Sequence, residues 1–380
     1  MHLLLLVCAA FAGDVFDTVG TETTIGMGGT WARLHATEAG WWFFQVAGGD
    51  SWAEDLAPDL SGYSDRDRIA LTSRGDLQDV QVERCDDGGW LAVGSASVTT
   101  PGDSAYAFRS DVDFTPVGSL TMDESSADRV HQDMVVMCAT SVTGALFSNV
   151  PEGNGGFGDG STFIAIDGTT RGSETRLETP STGTSMAIRP ADGRVVAATF
   201  DKAGSRDITF TVYEADWSVA DTATLTLPED YALWTQRLMP LGDGWLLVHI
   251  LRADEFGQPE GEVWLRALDA DFVEVDRVRV SPEGSVTNNR PWIARRDDVV
   301  AVTYDRDVQP RLTTVTLKAG AVPDDDDGIL DTAGDSGDSG DSMDCCKGDA
   351  PIDCGCGAGG APGAAVAGLA IAAVLGRRRR

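Results

Sequence analysis

Positive charge is scarce in this chain: 29 Lys and Arg stand against 60 Asp and Glu, a formal net charge of −31 over 380 residues. A surface that negative repels phosphate backbones and anionic headgroups. It speaks against nucleic acid as a partner and against docking of the body on anionic lipid. Histidine is scarcer still. His2, His35, His131 and His249 are the full set, without a His-Glu-x-x-His or His-x-His spacing; His2 belongs to the N-terminal apolar segment, and the other three each read as an isolated core or rim residue rather than a metal ligand. No Gly-x-Ser-x-Gly nucleophile elbow occurs. No long segment of the body holds a 3.6-residue apolar period, which argues against a helical body. What is present is 42% hydrophobic residues, ample for a core and incompatible with global disorder.

Both ends carry export features. Residues 1–12 read as a signal peptide: an apolar run from Leu3 to Val7 ends in Ala10-Phe11-Ala12, an A-x-A cleavage pattern. Its first residues contain no Lys or Arg, which is consistent with a start further upstream. Val7 stands where a lipoprotein signal needs a small residue, so Cys8 is not read as a lipidation site. At the other end, Cys354-Gly355-Cys356 precedes the uncharged Ala/Gly-rich run 357–376, and Arg377, Arg378, Arg379 and Arg380 follow. As a helix, this run spans about 30 Å, the thickness of a bilayer core, and the arginines fix its end in the cytoplasm. The run is poor in Leu and Ile for a permanent lone anchor and suits a segment that is later cut. Read as an ordinary anchor instead, it gives the same topology.

Cysteine motif, short apolar helix and terminal arginines together resemble the MYXO-CTERM sorting signal of myxobacteria and related bacteria, over residues 354–380 only. The resemblance implies removal of the helix by a membrane-embedded sorting protease, lipidation of a retained cysteine, and display on the cell surface or outer membrane. Cys345 and Cys346 also precede the motif, which leaves open which cysteine is retained. Residues 321–353 contain Asp324 to Asp327 and a repeated Asp-Ser-Gly, with no aromatic residue, and read as a disordered acidic linker. An EF-hand loop there is disfavoured: Pro323 occupies the place of the first calcium ligand, and the closing Glu is missing.

Between the signals, short alternating apolar runs separated by Gly, Asp, Ser and Pro indicate an all-β domain over residues 14–320. A turn followed by an apolar strand recurs at Gly40, Gly89, Gly144, Gly193, Gly244 and Asp298, with spacings of 49, 55, 49, 51 and 54. An Asp closing a strand recurs at Asp59, Asp113, Asp167, Asp216 and Asp271, with spacings of 54, 54, 49 and 55. Phe114, Trp217 and Phe272 follow three of these. Units of about fifty residues with four short strands are propeller blades, and six landmarks predict six blades. The last unit lacks a fourth strand, and Val15–Ile25 is placed to supply it and close the ring. A pair of β-sandwiches is the alternative.

Cys85 and Cys138 are the body's two cysteines. Both are placed on channel-lining first strands of neighbouring blades, and a disulfide between them is expected if their Cα atoms lie within about 7 Å. Trp41, Trp90 and Trp245 recur at one blade position, which suits packing between blades better than a carbohydrate platform. The sialidase-type S-x-D-x-G-x-x-W boxes and the GH…WD signature are absent. Gly155-Gly156-Phe157-Gly158-Asp159-Gly160 occurs once, with its Asp a place early for a calcium nonapeptide repeat. Six-bladed lactonase-type enzymes hold calcium with Glu, Asn and Asp, and Asn288 and Asn289 are placed to reach the channel; nothing else supports a cofactor, so none is expected beyond that calcium alternative.

The expected function is that of a non-enzymatic, surface-anchored binding or adhesion module for an unidentified protein or glycan. The alternative is a secreted lactonase-like or glycosidase-like hydrolase, with a carboxylate or calcium site at the channel mouth.

Overall fold

The computed structural model describes residues 15–321, except 27–28, 48–49, 62–68, 73–78, 96–103, 125–128, 152–160, 178–183, 201–205, 228–230, 253–260, 284–287 and 308. The described chain is built from strands alone. None of its elements is a helix long and apolar enough to cross a membrane. The signal peptide, the acidic linker beyond Ala321, Cys354, Cys356, the run 357–376, the four arginines and the glycine-rich 155–160 loop lie outside the described residues.

The strands form six antiparallel sheets in chain order. Blade 1 comprises Thr30–Thr37, Gly40–Ala47, Asp50–Leu56 and Ile69–Thr72. Blade 2 follows as Asp79–Arg84, Trp90–Ser95, Ser104–Ser110 and Pro116–Glu124. Blade 3 is Arg129–Cys138, Thr143–Pro151, Ser161–Asp167 and Thr170–Leu177. Blade 4 is Ser185–Ile188, Val195–Phe200, Asp207–Tyr213 and Val219–Thr226. Blade 5 is Tyr231–Leu241, Gly244–Arg252, Gly261–Leu268 and Glu274–Arg279. Blade 6 takes Asn288–Arg296, Val299–Arg306 and Gln309–Leu317 from the C-terminal side and Phe16–Val19 from the N-terminal side. Each first strand touches the first strand of the next blade, and blade 6 touches blade 1, so the ring is closed. Six sheets packed in a ring exclude the pair of sandwiches.

Closure joins the two ends of the domain. Phe16–Val19 pairs with Gln309–Leu317, and Thr23–Thr24 adds a second short pairing to that strand. The Asp276 carboxylate of blade 5 accepts the Val15 and Phe16 N–H groups at 3.1 and 2.9 Å, fixing the entering chain to its neighbour as well. Without this strand, the ladder edge of Gln309–Leu317 would be left open to pairing with another chain.

The core is six separate apolar layers, one between each pair of adjacent blades. Second strands are therefore buried on both faces. In Gly40–Val46 every residue is buried: Trp41 and Phe43 face blade 6, while Trp42, Phe44 and Val46 face blade 2. Such strands read as continuous apolar runs rather than alternating ones. Outer strands behave oppositely; Val219–Thr226 is mostly exposed and rich in Thr.

At four of its five positions the recurring Asp has a different role from closing a strand. Asp59, Asp113, Asp216 and Asp271 sit in the turn between third and fourth strands, Asp167 ends its third strand, and the residue after each is left-handed: φ is 59° at Leu60, 62° at Phe114, 58° at Gly168, 66° at Trp217 and 63° at Phe272. In blade 2, the Asp111 carboxylate accepts the N–H groups of Asp113 and Thr115 at 3.0 and 2.8 Å; Asp269 does the same in blade 5. An aromatic residue at positive φ is strained by about 1–2 kcal/mol. Burial offsets that strain, because each side chain reaches back to the preceding blade. Phe114 meets Trp42 of blade 1 with ring centroids 4.5 Å apart, Trp217 meets Phe163 of blade 3 at 4.4 Å, and Phe272 meets Phe210 of blade 4 at 4.5 Å. Leu60 packs into the layer shared with blade 6. Blade 3 has Gly168 here, whose missing side chain faces open space. That blade is tied to blade 2 instead by the Cys85–Cys138 disulfide, with Cα atoms 4.6 Å apart. Cys138 ends its first strand as expected, whereas Cys85 lies one residue beyond Asp79–Arg84, in the turn.

Candidate functional site

The first strands of all six blades enclose a cavity of about 100 Å³ along the ring axis. Its walls are mainly apolar, from residues such as Met137, Met186, Met239 and Ile293, with the disulfide's Cys138 among them. Among the described residues, the charged ones lining it are Glu83, Arg84, Arg237 and Arg295, three cations and one anion in a chain that is otherwise strongly acidic.

Glu83 and Arg237 bridge the channel. They come from blades 2 and 5, which are opposite in a ring of six, and Arg237 Nη2 donates to Glu83 Oε2 at 2.8 Å. Both side chains are largely buried. Burial raises the Glu83 carboxyl above its ordinary pKa, and Arg237 opposes that shift. The Arg237 guanidinium also lies over the Trp292 ring, 4.1 Å from its centroid; that of buried Arg33 lies 4.6 Å from the same ring. Trp292 is held by its indole N–H, which donates to Leu34 O at 2.9 Å. The tie therefore runs from blade 2 through blade 5 to blades 6 and 1.

His35 lines the same cavity but is a core residue. It packs against Phe44, Trp90 and Trp292 with centroids 5.5, 5.7 and 5.5 Å away. Burial, reinforced by the charges of Arg237, Arg33 and Arg84, pushes its pKa down to about 3, so the ring is neutral at physiological pH. His249 is also buried. It accepts a hydrogen bond from Arg266 Nε at 2.7 Å, and Arg266 in turn pairs with Glu274; burial and the Arg266 charge hold the ring well below its usual pKa. His131 lies on the first strand of blade 3.

Asn288 and Asn289 open the first strand of blade 6, as expected, opposite Arg306 and Asp305 in register, and their side chains lie outside the description. Among the described residues, no three His, Cys, Asp or Glu converge on one point. Trp41, Trp90 and Trp245 are buried at equivalent positions between blades.

Sequence reading missed Glu83, Arg84, Arg237, Trp292 and Arg295. One signal was available: Arg33 and Arg237 both stand seven residues before the turn glycines Gly40 and Gly244, and both pair in register with the fifth residue of the next strand. That shared register position places both guanidinium groups over the Trp292 ring, and of the two arginines Arg237 lines the cavity.

No family model matches the chain, and no curated protein matches it. Among solved structures, a DUF4221 family member from Bacteroides vulgatus has a TM-score of 0.46 at 8% identity, over 80% of this chain and 98% of its own. An α-L-arabinofuranosidase from Lactobacillus brevis has a TM-score of 0.44 at 12% identity, over 67% and 96%. A GH43 β-1,3-galactosidase has a TM-score of 0.43 at 9% identity, over 65% and 60%. The six-blade architecture rests on the sheet pairing of this chain, and no activity is carried over from these structures.

Proposed function

We propose that this chain is an exported propeller displayed on the cell surface, where it acts as a non-enzymatic ligand-binding module for a surface protein or glycan. Export follows the signal at residues 1–12. Sorting uses Cys354, Cys356 and the apolar run ahead of Arg377–Arg380, whose helix a sorting protease removes while a cysteine is lipidated. The membrane is met through that helix or that lipid, and the acidic body stays clear of it.

One observation carries the binding reading: the single carboxylate facing the described part of the channel, Glu83, is already ion-paired with Arg237. Glycoside cleavage needs two carboxylates about 5–10 Å apart with separate roles. A carboxylate that neutralises a cation across the channel stabilises the ring rather than moving protons.

The test is to present the full chain with a glycan array and with chromogenic glycosides and lactones. Saturable binding without turnover is the expected result. Turnover that is abolished in Glu83→Gln would replace this reading with the hydrolase. For the sorting part, a variant with both Cys354 and Cys356 changed to Ser is expected to lose surface labelling on intact cells; unchanged labelling would refute sorting through these residues.

A further inference from the structure

Three arginines line the axial cavity, and their surroundings differ. Arg237 is taken by Glu83, and Arg295 donates to the Asp297 carbonyl at 3.0 Å. Arg84, half-buried on the first strand of blade 2, has no hydrogen-bond or ion-pair partner among the described residues. A guanidinium withdrawn from water without a counter-charge is unfavourable, and it is the group best suited to grip a planar anion with two parallel hydrogen bonds. The chain carries 60 acids against 29 bases, yet among the described residues lining this cavity one acid stands against three bases. Walls of low polarity concentrate that local positive field.

Size and lining narrow the ligand further. A cavity of about 100 Å³ is small beside the roughly 300–1,000 Å³ of ordinary ligand sites, so it admits a small molecule or one terminal group of a larger one. Thioether and aliphatic walls beside the cations suit an anion attached to carbon rather than a fully hydrated inorganic ion.

We infer that the axial cavity is a carboxylate-binding site in which Arg84 holds the ligand's carboxylate, Arg295 adds positive charge, and the methionine-lined wall receives its carbon body. This inference rests on the binding reading above and names the chemistry of its ligand. The carboxylate has two sources: a free short-chain organic acid, or the acidic sugar unit of a glycan.

The experiment is isothermal titration calorimetry of the full chain in detergent at pH 7 and low salt. The probes are butyrate, lactate and glucuronate, with glucose and butanol as uncharged counterparts and sulfate and phosphate as inorganic anions. Saturable binding of at least one carboxylate is expected, with none for the uncharged counterparts. Binding by butyrate or lactate points to a free acid, and binding by glucuronate alone to an acidic glycan.

Arg84→Gln is expected to weaken binding roughly 10- to 100-fold, and Arg84→Lys, which keeps charge but loses the fork, less. Because Arg84 has no described partner, both variants are expected to melt at the wild-type temperature. If Arg84→Gln unfolds, Arg295→Gln supplies the same test with a smaller expected loss.

Absence of binding by every carboxylate overturns the inference, as does equal binding of sulfate and phosphate or unaltered affinity in folded Arg84→Gln. Conversion of a bound carboxylate to product, seen by NMR, would refute the non-enzymatic reading and leave the carboxylate site standing. A glycan-array ligand with no acidic group would do the reverse.

Discussion

Two buried neutral histidines make this propeller acid-sensitive by an amount that can be worked out. In the folded state, the His35 pKa is about 3, held there by burial and the neighbouring arginines; in the unfolded chain it returns to about 6.5. A depressed folded pKa means that the unfolded state takes up the proton first. His35's contribution is therefore complete above about pH 6.5 and is lost as pH falls from there toward 3. At pH 5 the unfolded ring is almost wholly protonated and the folded ring almost wholly neutral, so linkage gives a loss of about 2 kcal/mol, growing to about 4 kcal/mol by pH 3. His249 is shifted in the same direction by burial and the Arg266 charge, so its contribution is lost in the same sense as pH falls below about 6.5. The loss from His35 alone is a substantial part of a typical domain stability of about 5–15 kcal/mol.

The assay is urea denaturation at pH 7.5 and 5.0 of wild type, of His35→Phe, which fills the aromatic surroundings without titrating, and of His249→Gln, which keeps an acceptor for Arg266. His35→Phe should lose about 2 kcal/mol less than wild type between the two pH values, and His249→Gln should also lose less than wild type, whatever their stability at pH 7.5. A His35→Phe protein with the wild-type acid slope would refute the reasoning, because His35 would then be protonated in the fold or exposed to water.

Phe114→Ala should cost about 3–4 kcal/mol through loss of its stacking on Trp90 and contact with Trp42. Phe114→Gly should cost about 1 kcal/mol less than the alanine variant, reversing the usual order, because only glycine is relaxed at φ 62°; thermal melts of both decide. Replacing Cys85 and Cys138 together by Ser opens a loop between positions 53 residues apart and should lower stability by about 4 kcal/mol in the chain-entropy picture, read as a lower urea midpoint. Arg237→Met strands the Glu83 carboxylate and should cost about 3–5 kcal/mol, and adding Glu83→Gln should restore most of it. Equal stability of the single and double variants would mean that the pair is not coupled.

The architecture was legible because it repeats. Six turn landmarks and five Asp landmarks at a common period require one unit used six times, and a last unit short of a strand requires the N-terminal segment to complete it. Even the Asp-aromatic pairs were visible, although their meaning was not: an aromatic after Asp looks like a strand resuming, and only the backbone reveals a left-handed turn whose side chain crosses to the blade before it.

The channel could not be read in the same way. Glu83 and Arg237 are 154 positions apart, and each alone is an ordinary charged residue on a strand. Their pairing depends on which blades stand opposite, which follows from the number of blades and the closure of the ring. The same holds for His35, whose low pKa comes from aromatic and arginine neighbours on three other blades. Periodicity is a local property that hydrophobic burial writes into every repeat, so the sequence determined the fold and the disulfide's plausibility. The cationic cavity arises from the few positions where repeats differ, and only the closed ring, which brings six distant strands around one axis, decided what those differences make together.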